Sequence, residues 1–288
     1  GLMEQFFEFC GVRFCLDAER EMPIDDCGRQ FAVRPGPAEV RIQTECCAAL
    51  PAPSGAFLGR RGEKLVWRDG ASVTRLSQDP FRPQPHLSLR YTLPDVRALH
   101  CCVRAEDWPW AASGRFFWPG IALPQVLVHW SALVFHAAYV GWRGGAMLFV
   151  APSGTGKSTQ AALWERCRGA ESINGDKAAI RLDGIPMAYG MPFCGTSGIC
   201  RSKTLPLRCV VLLAQGPENR VRRLGVAEAV QQLSGNLFAD MLIREEWQLA
   251  RLLLLDLAAA VPVYRLCCTP DERAVGALEA ALAQDVLP

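Results

Sequence analysis

The sequence predicts two domains, a β-rich N-terminal domain over residues 1–122 and an α/β domain over residues 123–288. In the first part, short runs of alternating apolar and polar residues are broken by glycine, proline and Asp-Gly turns. In the second part, apolar strand-like runs alternate with helical patterns. With 288 residues, 50% of them apolar, the chain has enough apolar surface to build both cores.

The N-terminal domain is predicted to consist of short strands. Residues 39–43, 64–68 and 71–76 alternate in polarity, and the dipeptide Asp69-Gly70 between the last two favours a tight hairpin turn. Four of the eight tryptophans fall in this domain, and we expect their rings to pack in its core. Position alone suggests that the domain recognises a substrate.

The C-terminal domain is predicted to alternate strands and helices. We expect a helix at 123–134, strands at 136–140 and 146–150, a helix from 157 to about 166, and a hairpin around Asp183-Gly184. A strand at 209–214, helices at 226–233 and 245–260, and a strand at 261–267 follow. In the last helix, Thr269 is the expected N-cap, with Pro270 at the first position and Asp271 in the first turn.

Composition excludes several functional classes. The 31 basic and 29 acidic residues give a net charge of only +2, which does not favour nucleic acid as a partner. No uncharged apolar run approaches the length of a membrane helix and no leader pattern is evident, so we expect a cytoplasmic protein without a membrane partner. The composition is compatible with an oligomer.

The 13 cysteines include three adjacent pairs and are odd in number. No C-x-x-C motif or zinc-finger spacing occurs, and the four histidines are scattered along the chain. We therefore expect most of the cysteines to be small buried thiols in a reducing compartment, without metal or disulfide roles.

The most specific motif is Ala-Pro-Ser-Gly-Thr-Gly-Lys-Ser-Thr at residues 151–159, which follows an apolar strand and opens a helix. It fits the phosphate-binding loop (P-loop, Walker A) pattern with alanine in place of the first glycine. Glycines let backbone amides turn towards phosphates, and the helix N-terminus adds partial positive charge. The predicted ATP-binding residues are Ser153, Gly154, Thr155, Gly156, Lys157, Ser158 and Thr159, with the Lys157 ammonium on the β and γ phosphates and the Ser158 hydroxyl on magnesium.

Such a site needs a carboxylate, and two aspartates are candidates. Asp176 lies 19 residues after Lys157, where a strand-like run starts. Asp256 follows an apolar run, as in many ATPases, but Leu257 replaces the usual catalytic glutamate and the surrounding leucines read as a buried helix face. We therefore favour Asp176, while a turn role beside Asn174 remains an alternative for it.

The strand His136-Ala-Ala-Tyr-Val140, the glycine-rich motif with its helix, and the later Gly175-Asp176 together resemble the catalytic domain of HPr kinase/phosphorylase. They are more distantly similar to ATP-dependent phosphoenolpyruvate carboxykinase. The resemblance implies a P-loop nucleotide domain of that type, with His136 near the transferred phosphate and Asp176 as the base that accepts a serine hydroxyl proton. It also implies a magnesium site formed by Ser158 and Asp176.

Departures from that family pattern are also clear. Gly175 stands where the family has the first aspartate of a pair, and Thr159 stands where HPr kinase usually has glutamate. The family's later magnesium-binding glutamate has no evident match, and Arg201 is only a positional match for its arginine loop.

We therefore expect an ATP- and magnesium-dependent kinase with a peptide or small-protein serine as substrate. Two alternatives stay open: an ATPase or nucleotide-gated regulatory protein without a phosphoacceptor, and a non-catalytic module that binds phosphate or sulfate.

Overall fold

The computed structural model describes residues 2–285, which divide into two compact units. The N-terminal unit contains residues 2–130 and 239–247, and the C-terminal unit contains residues 131–238 and 248–285. The division therefore falls at 130, after the predicted limit of 122, and a short distant segment joins the first unit. Both units mix strands and helices.

The N-terminal unit is built on one eight-stranded sheet with the order β1-β2-β3-β8-β7-β6-β5-β4. The pairs β2–β3 and β3–β8 are parallel and the others antiparallel. The predicted hairpin is confirmed, since β5 and β6 pair on either side of Gly70, whose φ is 56°. The strands are β1 Met3–Phe9, β2 Val12–Ala18, β3 Val40–Cys47, β4 Ala56–Arg61, β5 Lys64–Asp69, β6 Ser72–Ser77, β7 Leu87–Thr92 and β8 Ala98–Arg104. The helices are α1 Asp26–Arg29, α2 Trp108–Ala111, α3 Gly114–Gly120 and α4 Leu123–Val128.

A buried ionic network explains why residues 239–247 belong to the N-terminal unit. The Arg75 guanidinium, 1% exposed, pairs with the Asp240 carboxylate and donates to Glu246 Oε1 at 2.8 Å. The Tyr91 hydroxyl donates to Glu246 Oε2 at 2.8 Å, and Gln125 on α4 donates to Asp240 at 3.1 Å. Buried charges are tolerated only when paired, so these partners fix the returning segment and keep α4 in this unit.

His86 is a second buried polar group of the N-terminal unit. Its ring is 1% exposed and packs on the Trp110 ring with a centroid distance of 4.6 Å. Burial lowers the pKa of His86 to about 4, and the Lys64 ammonium lowers it further, whereas Asp107 opposes the shift. The imidazole is therefore neutral at neutral pH.

The structure corrects the cysteine expectation for Cys47 and Cys102. Cys47 at the end of β3 and Cys102 on the neighbouring strand β8 form a disulfide, with their Cα atoms 6.2 Å apart. Parallel pairing of the two strands brings these residues together across 55 positions of sequence. The expectation of buried thiols holds for several other residues, namely Cys15, Cys101, Cys209 and Cys268.

The C-terminal unit contains a second eight-stranded sheet, in which β10-β9-β12-β13-β14-β16-β15 are neighbours and β11 pairs with β9. β10 also pairs with β14, so the five strands from β10 to β14 in this order of neighbours are linked in a ring. The strands are β9 Ala132–Trp142, β10 Gly145–Val150, β11 Glu171–Asn174, β12 Lys177–Arg181, β13 Met187–Gly190, β14 Thr204–Gln215, β15 Arg220–Arg223 and β16 Val263–Cys268. The helices are α5 Lys157–Arg168, α6 Val226–Ser234, α7 Arg244–Ala260 and α8 Glu272–Gln284. Helix α7 begins in the segment assigned to the N-terminal unit and continues in the C-terminal unit.

Three parallel strands, β10, β14 and β16, end at the same edge of this sheet. Helix α5 follows β10 and packs on the sheet through Trp164, which is fully buried and meets the Trp142 ring at 4.9 Å. In open α/β sheets, ligands bind at the carboxyl ends of parallel strands. This edge is therefore where a ligand site is expected.

The helices predicted at 157–166, 226–233 and 245–260 are confirmed, whereas the helix predicted at 123–134 ends at Val128 and residues 132–134 belong to β9. Asp256 lies within α7, but the expected buried helix face is wrong in part, because Leu249 and Leu252 are exposed whereas Leu253 and Leu257 are buried. The predicted cap of α8 is wrong, because the N-cap is Asp271, whose side chain accepts from the Arg273 amide. The Thr269 hydroxyl accepts a hydrogen bond from the Asn219 amide group at 2.8 Å, so it is engaged outside the helix. No helix within residues 2–285 has the length and apolar character needed to cross a membrane.

Candidate functional site

The glycine loop, defined as residues 151–156, connects β10 to α5. Gly154 and Gly156 have φ values of 79° and 101°, a left-handed region that costs glycine no steric strain. Gly156 is the N-cap of α5, and no side chain caps this end of the helix. The first-turn amides therefore remain available to an anion, and the helix dipole favours negative charge there.

Lys157 begins α5 with a buried side chain that is 6% exposed as a residue. Its ammonium donates to the Ala151 carbonyl, the first of the glycine loop, at 2.7 Å. Burial lowers the pKa of Lys157, and the neighbouring Lys177 lowers it further, whereas Asp176 raises it. The ammonium has three hydrogens, so two remain for a ligand.

Asp176 lies in the turn between β11 and β12 and is positioned by Asn174. The Asn174 side-chain oxygen accepts from the amides of Asp176 and Lys177, each at 3.1 Å. Its amide nitrogen donates to the Met191 carbonyl at 2.7 Å, and Asn174 is 1% exposed. The Asp176 carbonyl also accepts from the Ala137 amide of β9 at 3.0 Å. The backbone around the carboxylate is thus held from two sides.

Lys177 forms an ion pair with Asp176, with its Nζ 2.5 Å from Asp176 Oδ2. The Asp176 side chain is 27% exposed, whereas that of Lys177 is only 9% exposed. The Lys177 ammonium also lies 4.6 Å from the centre of the Phe238 ring, a cation–π contact. Together with Lys157, these side chains place two positive charges and one negative charge in the same region.

His136 lies on β9, directly opposite Lys177 on β12. Burial lowers the pKa of His136 to about 4, and Lys177 and Lys157 lower it further, while Asp176 acts in the opposite direction. The imidazole is therefore neutral at neutral pH. Its ring packs edge-on against Phe238 at 5.3 Å, and its Nδ1 is buried without a hydrogen-bond partner among residues 2–285.

The segment 191–198 packs directly against Asp176 and the preceding residue. A Cβ atom at Gly195 would lie 2.7 Å from the Asp176 Cβ, and one at Gly175 would lie 2.1 Å from the Ser197 hydroxyl oxygen. Both distances are shorter than real Cβ contacts, so glycine permits the close approach at both positions. The segment therefore forms one wall beside the Asp176 carboxylate, and the approach of Ser197 leaves no room for a side chain at 175.

The structure brings His136, Lys157 and Asp176 into one region. The Ala151 amide donates to the His136 carbonyl, the Lys157 ammonium donates to the Ala151 carbonyl, and Asp176 pairs with Lys177, the residue opposite His136. Other predicted loop residues occupy the glycine loop or the first turn of α5, namely Ser153, Gly154, Thr155, Gly156, Ser158 and Thr159. Arg201 is not brought to the site, because it pairs with Glu171 at 2.8 Å.

Sequence reasoning missed three contributors, Asn174, Lys177 and Phe238. The position of Lys177 beside Asp176, in a chain in which lysine is rare, could have indicated its role. Phe238 carries no local signal, since it reaches the site only through the pairing of residues 237–238 with β9. The pairing is long-range and follows from the tertiary structure.

Comparison with known proteins gives a distant structural likeness. No protein-family model matches the chain, and no curated protein matches it. Among solved structures, the chain is similar to the Hpr(Ser) kinase/phosphatase from Coxiella burnetii, with 11% sequence identity and a TM-score of 0.31. The match covers 53% of this chain and 88% of that chain. The roles of the site residues therefore have to follow from this chain's own geometry.

Proposed function

We propose that the protein is an ATP-dependent kinase that transfers the γ-phosphate to a hydroxyl group, namely that of a serine in a peptide or small protein. The observation that carries this proposal is the junction of the glycine loop and α5. There, left-handed glycines, an uncapped helix N-terminus and the Lys157 ammonium converge at one sheet edge. This combination suits a phosphate chain because amide dipoles and one ammonium can share its charge.

In the proposed mechanism, the glycine loop and Lys157 hold the phosphates, and Lys177 adds a second positive charge near the transferred group. Asp176 accepts the proton of the acceptor hydroxyl as the oxygen attacks phosphorus. The attacking oxygen forms a bond to the γ-phosphorus while the bond to the β-γ bridging oxygen breaks, leaving ADP. Neutral His136 lies beside these groups and can exchange a hydrogen bond with a phosphate oxygen without adding charge.

A magnesium ion fits the donor set of this site. Mg²⁺ in nucleotide sites uses one or two carboxylates together with hydroxyl groups, waters and substrate phosphates. The chain supplies the Asp176 carboxylate and the exposed Ser158 hydroxyl at the start of α5. These two residues would hold the ion, which would neutralise charge on the phosphates.

The acceptor class rests on the sequence resemblance to HPr kinase/phosphorylase, carried by His136, the glycine loop and Asp176. The replacement of the first family aspartate by Gly175 limits how far that resemblance extends. Because Ser197 fills the space beside Gly175, the site relies on one carboxylate and two lysines. The proposal therefore names a hydroxyl on a peptide or small protein without naming HPr itself.

One observation favours a second candidate, a nucleotide-binding ATPase or regulatory protein without a phosphoacceptor. The Asp176 carboxylate is already paired with Lys177, and Gly195 packs against it. A protein hydroxyl must compete with both contacts, whereas a water molecule needs less room. In that case ATP would be hydrolysed slowly or only bound.

The two candidates are separated by following the label from γ-labelled ATP. The full chain is incubated with labelled ATP, magnesium and a pool of serine-containing peptides, beside the variants Asp176→Asn, Lys157→Ala and Asp183→Asn. Asp183 is a matched control because it is an exposed aspartate in the β12–β13 connection, paired only with Arg181 among the described residues. Circular dichroism checks that each variant is folded.

We expect label on serine for the wild type and Asp183→Asn. Asp176→Asn should retain ATP affinity and lose about 100-fold or more of the transfer rate, the usual contribution of a general base. Lys157→Ala should lose ATP affinity. Unchanged transfer by Asp176→Asn would remove Asp176 from the mechanism, and label found only as free phosphate would support the ATPase. Absence of ATP binding by the wild type would refute both candidates.

A further inference from the structure

A pocket with a cavity volume of about 260 Å³ lies beside the glycine loop within the C-terminal unit. One wall is formed by Thr155–Gly156 of the loop and by Thr159 and Gln160 in the first turn of α5. The other lining residues are 215–216 at the end of β14 and 268–270 at the end of β16. The pocket therefore lies at the shared carboxyl edge of the parallel strands, where α/β sheets bind ligands.

Gln160 on this wall has an unmet hydrogen-bonding requirement. The residue is 2% exposed, and its side-chain nitrogen donates to the Cys268 sulfur at 3.4 Å. Its side-chain oxygen is buried and has no partner within the described part of the chain. A buried acceptor without a partner costs about 1–3 kcal/mol. A ligand that donates a hydrogen bond to the Gln160 side-chain oxygen would remove this cost.

The lining residues that follow β16 are fixed by hydrogen bonds. The Thr269 amide donates to the Asn219 side-chain oxygen at 3.0 Å, and the Asn219 nitrogen donates to the Thr269 hydroxyl at 2.8 Å. These bonds tie the residues after β16 to the turn between β14 and β15. The pocket is therefore preformed by the backbone on this side and does not need a ligand to shape it.

We propose that this pocket binds the adenine base of the nucleotide, with the 6-amino group donating to the Gln160 side-chain oxygen. The inference rests on the proposed function, since phosphates held in the glycine loop would leave the nucleoside next to Thr155 and Gly156. Adenine suits the position because its amino group is a donor, whereas the same edge of guanine presents a carbonyl acceptor. The sulfur of Cys268 and the ring of Pro270 offer apolar surface to a planar base.

The test measures equilibrium binding of four ligands by calorimetry: ATP, GTP, purine riboside triphosphate and inorganic tripolyphosphate. Purine riboside triphosphate lacks only the 6-amino group. The proteins are the wild type, Gln160→Leu and the control Gln231→Leu, which changes an exposed glutamine on α6. We expect the wild type and the control to bind ATP about 10-fold more tightly than purine riboside triphosphate or GTP, the effect of one good hydrogen bond.

In Gln160→Leu, we expect the affinity for ATP to fall to that for purine riboside triphosphate, while the affinity for tripolyphosphate stays unchanged. Equal wild-type affinities for ATP and purine riboside triphosphate would overturn the inference while leaving the phosphate site intact. This comparison needs no variant and holds even if Gln160→Leu misfolds. If neither ATP nor tripolyphosphate binds, the proposed function fails and this inference fails with it. The wild-type affinity for 2′-deoxy-ATP is also measured. If it fell to the affinity for purine riboside triphosphate, Gln160 would be assigned to the ribose and the adenine contact would be refuted.

Discussion

Replacing Asn174 by alanine tests how the Asp176 carboxylate is positioned. Asn174 is 1% exposed and makes three hydrogen bonds, two from the amides of Asp176 and Lys177 and one to the Met191 carbonyl. Alanine removes all three hydrogen bonds, so the amides of Asp176 and Lys177 and the Met191 carbonyl lose the Asn174 side chain as a partner. At about 1 kcal/mol for each net hydrogen bond, we expect the free energy of unfolding to fall by about 3 kcal/mol.

The matched control is Asn236→Ala. Asn236 makes one side-chain hydrogen bond, to the Gln232 carbonyl at 2.9 Å, so we expect a loss of about 1 kcal/mol. Urea unfolding followed by far-UV circular dichroism measures both values under the same conditions. If the proposed kinase activity is present, Asn174→Ala should also lower kcat at least 10-fold with little change in the KM for ATP. Equal losses of stability in the two variants would show that the Asn174 bonds do not hold this turn.

Two further predictions concern one close contact and one buried histidine. Gly175→Ala places a Cβ 2.1 Å from the Ser197 hydroxyl oxygen, so we expect a loss of about 1–3 kcal/mol by overpacking in urea unfolding. Most of the lost stability should be recovered in the double variant Gly175→Ala/Ser197→Gly. A double variant as unstable as the single one would contradict this. For His86, the folded pKa of about 4 lies below the ordinary value of 6.5, so the unfolded chain binds more protons between those pH values. His86 should therefore contribute a fall in stability of up to about 3 kcal/mol as pH drops from 6.5 to 4. His86→Phe should reduce the slope by this share in parallel pH titrations of unfolding and leave that of His136, whose pKa is also lowered to about 4; identical slopes would disprove the assignment.

The glycine loop was predictable because its structure is local. Glycines that adopt left-handed conformations and a lysine that opens a helix are specified by neighbours within a few residues, and both are found at the predicted positions. The strand carrying His136 and the hairpin at Asp69-Gly70 were predicted for the same reason. Local signals fail where two neighbours compete, as at the start of α8, where Asp271 caps the helix and Thr269 bonds to Asn219.

Three features of the fold depend on contacts between distant parts of the sequence. Phe238 reaches Lys177 through backbone pairing with β9, and Gln160 meets Cys268 across 108 positions. The return of residues 239–247 to the N-terminal unit depends on the buried ionic network around Arg75. No periodicity or turn motif encodes such contacts, because they are stabilised only when both partners are already placed by the fold.

The sequence by itself therefore determined the mixed α/β class, the glycine loop with its lysine, and the choice of Asp176 as the candidate carboxylate. These features follow from local backbone preference and side-chain chemistry. Tertiary structure alone decided the environment of that carboxylate: its pairing with Lys177, the close approach of Gly195 and the neutral state of His136. The physical reason is that desolvation and charge proximity depend on which segments the fold buries together.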